Sequence, residues 1–217
     1  MLEEKLTELK RDIVIYAQLV EGMLEKSVMG LLKKEKGYLT EVIERKEPRA
    51  NKFDIELDKL CTVMLAQFEP KARDLRTILM ILKMSNDLER MADHIVNIAQ
   101  SSLFLIDHPV ARPMVDIPQM AELTIVVLKN STNAFIRGDA VVARDVCRKD
   151  DVVDQLRDQI LKELIAFMGS HPDASERAFH LMRITHNLER IADLSTNICE
   201  DVIFMVEGKV IKHHIEA

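Results

Sequence analysis

Leu88-Glu89-Arg90-Met91-Ala92-Asp93 returns one hundred residues later as Leu188-Glu189-Arg190-Ile191-Ala192-Asp193, and Asn97-Ile98 returns as Asn197-Ile198 at the same offset. Upstream, Arg45-Lys46-Glu47 matches Arg148-Lys149-Asp150, and the breaks Glu69-Pro70 and His171-Pro172 fall at comparable places. The duplication therefore covers nearly the whole 217-residue chain, and each half is one structural unit.

Within a half, three long stretches carry apolar residues at helical spacing, with short breakers between them. Helices are predicted at roughly 2–34, 38–67, 72–106, 116–137, 139–169 and 174–207. The breakers are Lys36-Gly37, Glu69-Pro70, Gly138-Asp139, Gly169-Ser170-His171-Pro172 and the segment from Pro109 to Pro118. Only that last segment, with three prolines, is long enough to separate two subdomains, 1–108 and 114–217. Short loops force sequence neighbours to pack antiparallel. The expected fold is all-α: two three-helix bundles side by side, six long helices related by a pseudo-two-fold. Pro48 falls inside the second helical pattern and should kink or restart it. The stripe of Met23, Met29, Met64, Met80, Met84 and Met91 reads as core filling, since methionine adapts to irregular gaps.

Composition agrees. Hydrophobic residues make up 47% and charged residues 30%, ample for a core and a solvated surface, and six Gly, no Trp and two Tyr are few for a sheet protein. The net charge of −6 repels nucleic acid phosphates, and no basic cluster with interleaved aromatics offsets it, so no nucleic acid partner is expected. Lys33-Lys34-Glu35-Lys36 reads as a helix C-terminus answering its dipole. Cys61, Cys147 and Cys199 are odd in number and far apart in sequence, without a CxxC pair, as suits reduced packing residues in the cytosol. The N-terminus is acidic where a secretory signal would be basic, and no run of about 18 apolar residues occurs. A cytoplasmic chain without a membrane span is expected.

On a helix turning 100° per residue, Asn86, Glu89, Asp93, Asn97 and Gln100 fall within about 80° of one another, opposite Leu88, Met91, Ile95 and Ile98. The second copy repeats this with His186, Glu189, Asp193, Asn197 and Glu200. A solvated face is the plain explanation, but such a face would alternate signs, whereas this stripe pairs acids at i, i+4 without a lysine. A ruler of 1.5 Å per residue, laid from the loop near residue 171, brings Asp150 and Asp154 to the height of Glu189 and Asp193. Four carboxylates converge there, and oxygen-only ligands suit Mg²⁺, Mn²⁺, Ca²⁺ or iron more than zinc. The same ruler in the first half pairs Glu89 and Asp93 with Glu47 and Asn51, and puts Asp54 and Asp58 roughly 12 Å lower. Metal is therefore expected more tightly in the second half.

At these residues the chain resembles the PhoU family of bacterial phosphate-transport regulators. Both copies of Leu-Glu-Arg-x-Ala-Asp with Asn-Ile after it match the family's repeated signature, as do Pro70-Lys71-Ala72-Arg73-Asp74-Leu75-Arg76 and the ending Glu207-Gly208-Lys209. Ala92 and Ala192 stand where the family usually has glycine, and Leu194 where it usually has histidine. The resemblance implies paired three-helix bundles that bind metal clusters through acid-xxx-Asp motifs. Those motifs map onto Glu89 with Asp93, Glu189 with Asp193, Asp150 with Asp154, and also Asp54 with Asp58. It further implies Mg, Mn, Fe or Zn as the metal, a homodimer, and negative regulation of the phosphate-starvation response and of phosphate uptake. The implied partners are the ATPase subunit of a phosphate ABC transporter and a membrane sensor histidine kinase, which would hold the protein at the inner face of the membrane.

No Gly-rich phosphate loop and no nucleophile with a nearby base is present, so no catalysis is expected. A ferritin-like di-iron bundle needs Glu-x-x-His on facing helices, and none of the seven histidines has an acid three residues before it. A purely structural bundle with solvated acids is the remaining alternative.

Overall fold

The chain's structure, a computed structural model, describes residues 2–109, 116–208, 211–212 and 215–216. It contains α1 (Leu2–Lys33), α2 (Lys36–Glu41), a π-helical segment (Val42–Lys46), α3 (Glu47–Phe68), α4 (Ala72–Asp107), α5 (Ile117–Arg137), α6 (Ala140–Ser170) and α7 (Ser175–Glu207). A 3₁₀ turn (Pro172–Ala174) precedes α7. A two-residue antiparallel hairpin, β1 (Ile211–Lys212) with β2 (Ile215–Glu216), follows it. Since α2, the π segment and α3 run on without a loop, the chain forms six rods at the predicted places. The core of the predicted proline-rich linker, 110–115, lies outside the described residues.

Pro48 explains the π segment. It cannot donate the i→i−4 hydrogen bond, and its ring crowds the carbonyl one turn back. The five residues before Glu47 widen into a π turn, and the α-helix restarts with Pro48 in its first turn. The first break falls earlier than Lys36-Gly37: Lys34 takes the left-handed conformation (φ 57°) and Glu35 N–H donates to Gly30 O at 3.0 Å, closing α1. The cause is Gly30. A Cβ there would stand 2.5 Å from Leu39 Cδ2, so only glycine lets buried Leu39 fold back onto α1. Gly37 has no such neighbour and sits inside α2. Gly138 ends α5 at φ 60°, and Asp139 starts α6 by accepting from the N–H groups of Val141 (3.0 Å) and Val142 (3.1 Å).

The helices bury their apolar stripes in one continuous core. Within each half every rod touches the other two; between halves, α4 packs on α7 and α1 on α5. Met23, Met64, Met80, Met84 and Met91 are buried, as core filling requires, while Met29 is only half-buried. Each Leu, Ile or Met so placed contributes roughly 1.5 to 3 kcal/mol. Cys61 and Cys199 are buried and Cys147 half-buried, all three as free thiols. Cys147 and Cys199 are neighbours between α6 and α7. Among the described residues no helix is long and apolar enough to cross a membrane.

Candidate functional site

The two acidic stripes lie on α4 and α7, each faced by the preceding helix of its own half. In the second half Asp150 and Asp154 on α6 meet Glu189 and Asp193 on α7. Burial, then the like charges of Asp154, Asp193 and Glu189, push the Asp150 carboxyl up to about 6. A cation already sits there. Arg157 Nη1 donates to Glu189 Oε1 at 2.8 Å and lies 3.0 Å from Asp154 Oδ1, while its Nε reaches Asp158 at 2.9 Å. Arg190 pairs with Asp193 at 3.0 Å. The other oxygen of Glu189, Oε2, is buried without a hydrogen bond, with His186 Nδ1 3.6 Å away.

In the first half the ruler misplaces the facing residues. Asn51 is exposed, and no hydrogen bond or ion pair joins Glu47 to Glu89 or Asp93 among the described residues. Asp54 is the acid that meets them. It accepts from Ser85 Oγ at 3.0 Å, and with Asp93 it raises the Glu89 carboxyl, which burial raises most. Asp58, a turn lower, stands beside Cys61 instead. Side chains lean toward the N-terminus of their own helix, so on antiparallel α3 and α4 Asp54 and Glu89 lean toward each other. A count of backbone rise alone ignores both tilts.

Beneath these three acids lies Tyr16 of α1, fully buried and stacked on Phe53 at 5.5 Å. Its hydroxyl has no hydrogen-bond partner. Burial and the charges of Asp54, Glu89 and Asp93 drive its ionisation far upward, so it stays neutral and can only donate or accept a hydrogen bond. The expected residues did not include Tyr16 or Arg157; Asp54, which the ruler placed too low, was named through the acid-xxx-Asp motif of the resemblance. Arg157 was legible, since the offset of 103 that aligns Arg45 with Arg148 also aligns Asp54 with Arg157. Thus the position facing the helix acid is a carboxylate in one half and a guanidinium in the other. The facing helix thus supplies the stripe with a basic partner in the second half and an acidic neighbour in the first. Among the described residues no three acid, histidine or cysteine side chains stand in a ready coordination shell.

Between the halves the stripes also bind α4 to α7. His94 Nδ1 meets Asn187 Oδ1 at 2.8 Å, and Arg183 donates to Asn97. The repeat-equivalent contacts involve Leu194, Asp87, Lys83 and Asn197. Leu194 cannot bond Asp87, whose nearest cation is Arg90 at 3.7 Å. Asp87 is buried, and burial, then the Asp201 charge, pushes its carboxyl up to about 6. Lys83 turns instead to Asp201 at 2.9 Å. The unfilled counterpart is a recess of about 270 Å³ bordered by Asp87, Asn197 and Asp201.

Comparison with known proteins places this arrangement. The PhoU domain model matches residues 13–102 and 117–202, one match per half. A phosphate-specific transport system accessory protein PhoU homolog of Aquifex aeolicus is 34% identical over 99% of this chain and 97% of its own length. Homolog 2 of Thermotoga maritima is 31% identical over 98% of this chain and 90% of its own length. The crystal structure of PhoU from Pseudomonas aeruginosa superposes with a TM-score of 0.93 at 29% identity, covering 96% of this chain and all of that one. The phosphate transport system regulatory protein PhoU from Streptococcus pneumoniae gives 0.88 at 28% identity, over 98% of this chain and all of that one. With both repeats matched and the relatives aligned end to end, the chain belongs to the PhoU family.

Proposed function

We propose that the chain is a regulatory accessory protein of a phosphate transport system, acting by binding rather than by catalysis. The observation that carries this is the full-length match to proteins of that description, on a scaffold whose acids line helix faces rather than flank a nucleophile. On this reading it restrains phosphate uptake and the starvation response in the cytoplasm, as a homodimer. It does so by contacting the transporter's ATPase subunit and a sensor histidine kinase. A regulator of this kind acts by binding one state of its partner more tightly than another.

The proposal includes a divalent or ferric cation (Mg, Mn, Fe or Zn) at the acidic faces. Asp54, Glu89 and Asp93 would hold one: as like charges they raise one another beside the buried, unpartnered hydroxyl of Tyr16, and a cation would have to draw them together into a coordination shell. When bound, a cation would neutralise these acids and offer open coordination positions to a carboxylate or phosphate from outside. In the second half Asp150, Asp154, Glu189 and Asp193 present the same chemistry, but Arg157 already compensates two of them. On this reading cation affinity is greater in the first half.

Two measurements test the reading separately. Calorimetry and elemental analysis of the purified protein should show saturable Mn²⁺ or iron uptake that Glu89→Gln with Asp93→Asn abolishes. Absence of uptake removes the cation. Co-purification with the transporter ATPase, and phosphate-starvation genes left on in rich medium when the chain is deleted, test the regulatory role. Normal repression in the deletion strain removes that role whatever the metal result.

A further inference from the structure

One end of the molecule carries a recess that neither stripe uses. Its volume is about 460 Å³, within the roughly 300 to 1,000 Å³ of small-molecule sites. It forms where the start of α1, the start of α4 and the ends of α5 and α7 meet. Lys10, Arg11, Arg73 and Arg137 line it, no acidic side chain does, and Phe135 and Met205 form part of an apolar wall. Four cations around one recess are notable in a chain of net charge −6.

Ordinary helix electrostatics accounts for only part of this. Arg137 lies in the last turn of α5, where a cation answers the dipole, and Arg11 pairs with Asp12 at 3.0 Å. Arg73 is the opposite case. It is the second residue of the 36-residue α4, at the positive end of the dipole, and follows Lys71 at an N-cap without a side-chain hydrogen bond. Among the described residues neither Lys10, Arg73 nor Arg137 has a carboxylate partner. All three are exposed, open to an anion from outside the chain.

We infer that this recess binds a phosphorylated small molecule of nucleotide size. Three guanidinium forks and an ammonium match the oxygens and multiple charge of a phosphate chain. The apolar wall and the volume call for a body beyond inorganic phosphate, and Phe135 offers it an aromatic edge. The site lies at the junction of the two halves, so its occupant would touch helices of both.

The test uses the intact protein with ATP as probe, in EDTA so that no metal at the acidic faces contributes. Calorimetry at low salt should give one saturable site with Kd below about 1 mM, weakening steeply as salt rises. Arg73→Gln with Arg137→Gln should weaken binding at least tenfold without changing the unliganded melting temperature. Because both arginines are exposed, this variant folds. Val206→Glu, at an exposed position on the rim, should weaken ATP binding similarly. No saturable binding by the wild type, or equal binding by the double variant, overturns the proposal. So does inorganic phosphate binding as tightly as ATP, which would make the apolar wall irrelevant. Binding to phosphatidylglycerol vesicles in place of ATP would also overturn it, assigning the cations to a membrane surface.

Discussion

The two halves share a backbone plan and differ in how they treat the same crowd of carboxylates. At the position where the antiparallel helix faces the stripe, the first half places Asp54 against Glu89, and the second places Arg157 against Glu189. One half therefore leaves its facing acids to one another, whereas in the other Arg157 compensates Glu189 and Asp154 and leaves Asp150 among like charges. The duplication preserved the packing residues, Leu88 with Leu188 and Met91 with Ile191, all buried, because core shape tolerates little change. Polar positions facing the cleft were free to diverge, and their divergence puts a carboxylate in one repeat where the other has an arginine.

This contrast is broken most directly at the two equivalent positions. Arg157→Ala should destabilise the metal-free protein by about 2 kcal/mol, because it leaves the half-buried Glu189 and Asp154 uncompensated. Millimolar Mn²⁺ should restore much of that loss, since a ligand that binds only the folded state stabilises it. Asp54→Asn should do the reverse. It keeps an acceptor for Ser85 and relieves Glu89, raising metal-free stability by about 1 kcal/mol, while weakening Mn²⁺ uptake. Urea denaturation with and without metal reads both signs. Equal signs at the two positions would mean the repeats do not differ as described.

A smaller effect sharpens the comparison at the α4–α7 seam. Asp87 and Asp150 both have carboxyls raised to about 6 from 3.8. A folded-state value above the unfolded one means that the folded chain binds more protons between those limits, so stability falls as pH rises from about 4 to 6 and stays lower above. Asp87→Asn, which recreates the Asn187 of the other half, should therefore gain about 1 kcal/mol at pH 7 and nothing below pH 4. Thermal melts at both pH values check it; an equal gain at pH 4 would mean the effect is not ionisation.

The least effect belongs to Lys83, one of two equivalent basic residues. Lys83 reaches Asp201 with half its side chain in solvent, so Lys83→Ala should cost less than 0.5 kcal/mol. Arg183→Ala removes a part-buried hydrogen bond to Asn97 and should cost about 1 kcal/mol. Chemical denaturation of the two variants side by side gives the order.

Periodicity exposed the helices because each rod is long and strongly striped, and Pro48 marked the π segment because its missing N–H and its ring act locally. Convergence of the second-half acids was also legible, since both helices radiate from one short loop. Three things were not. The Gly30–Leu39 contact that sets the first break is tertiary, and no local feature distinguishes Gly30 from Gly37. Side-chain tilt brought Asp54 rather than Glu47 to Glu89. Tyr16 lies on a third helix, whose rotation about its axis cannot be had from the acids alone.

The single core that runs across both repeats has a consequence for synthesis. When the first half leaves the ribosome, the faces of α1 and α4 that later meet α5 and α7 have nothing to cover them. The residues of α1 and α4 in the core cluster that spans both halves are then only partly covered. A nascent chain paused after α4 is therefore exposed to pairing with a copy of itself through the surface meant for α7. The speed at which the second repeat emerges decides between closure within one chain and a swapped pair.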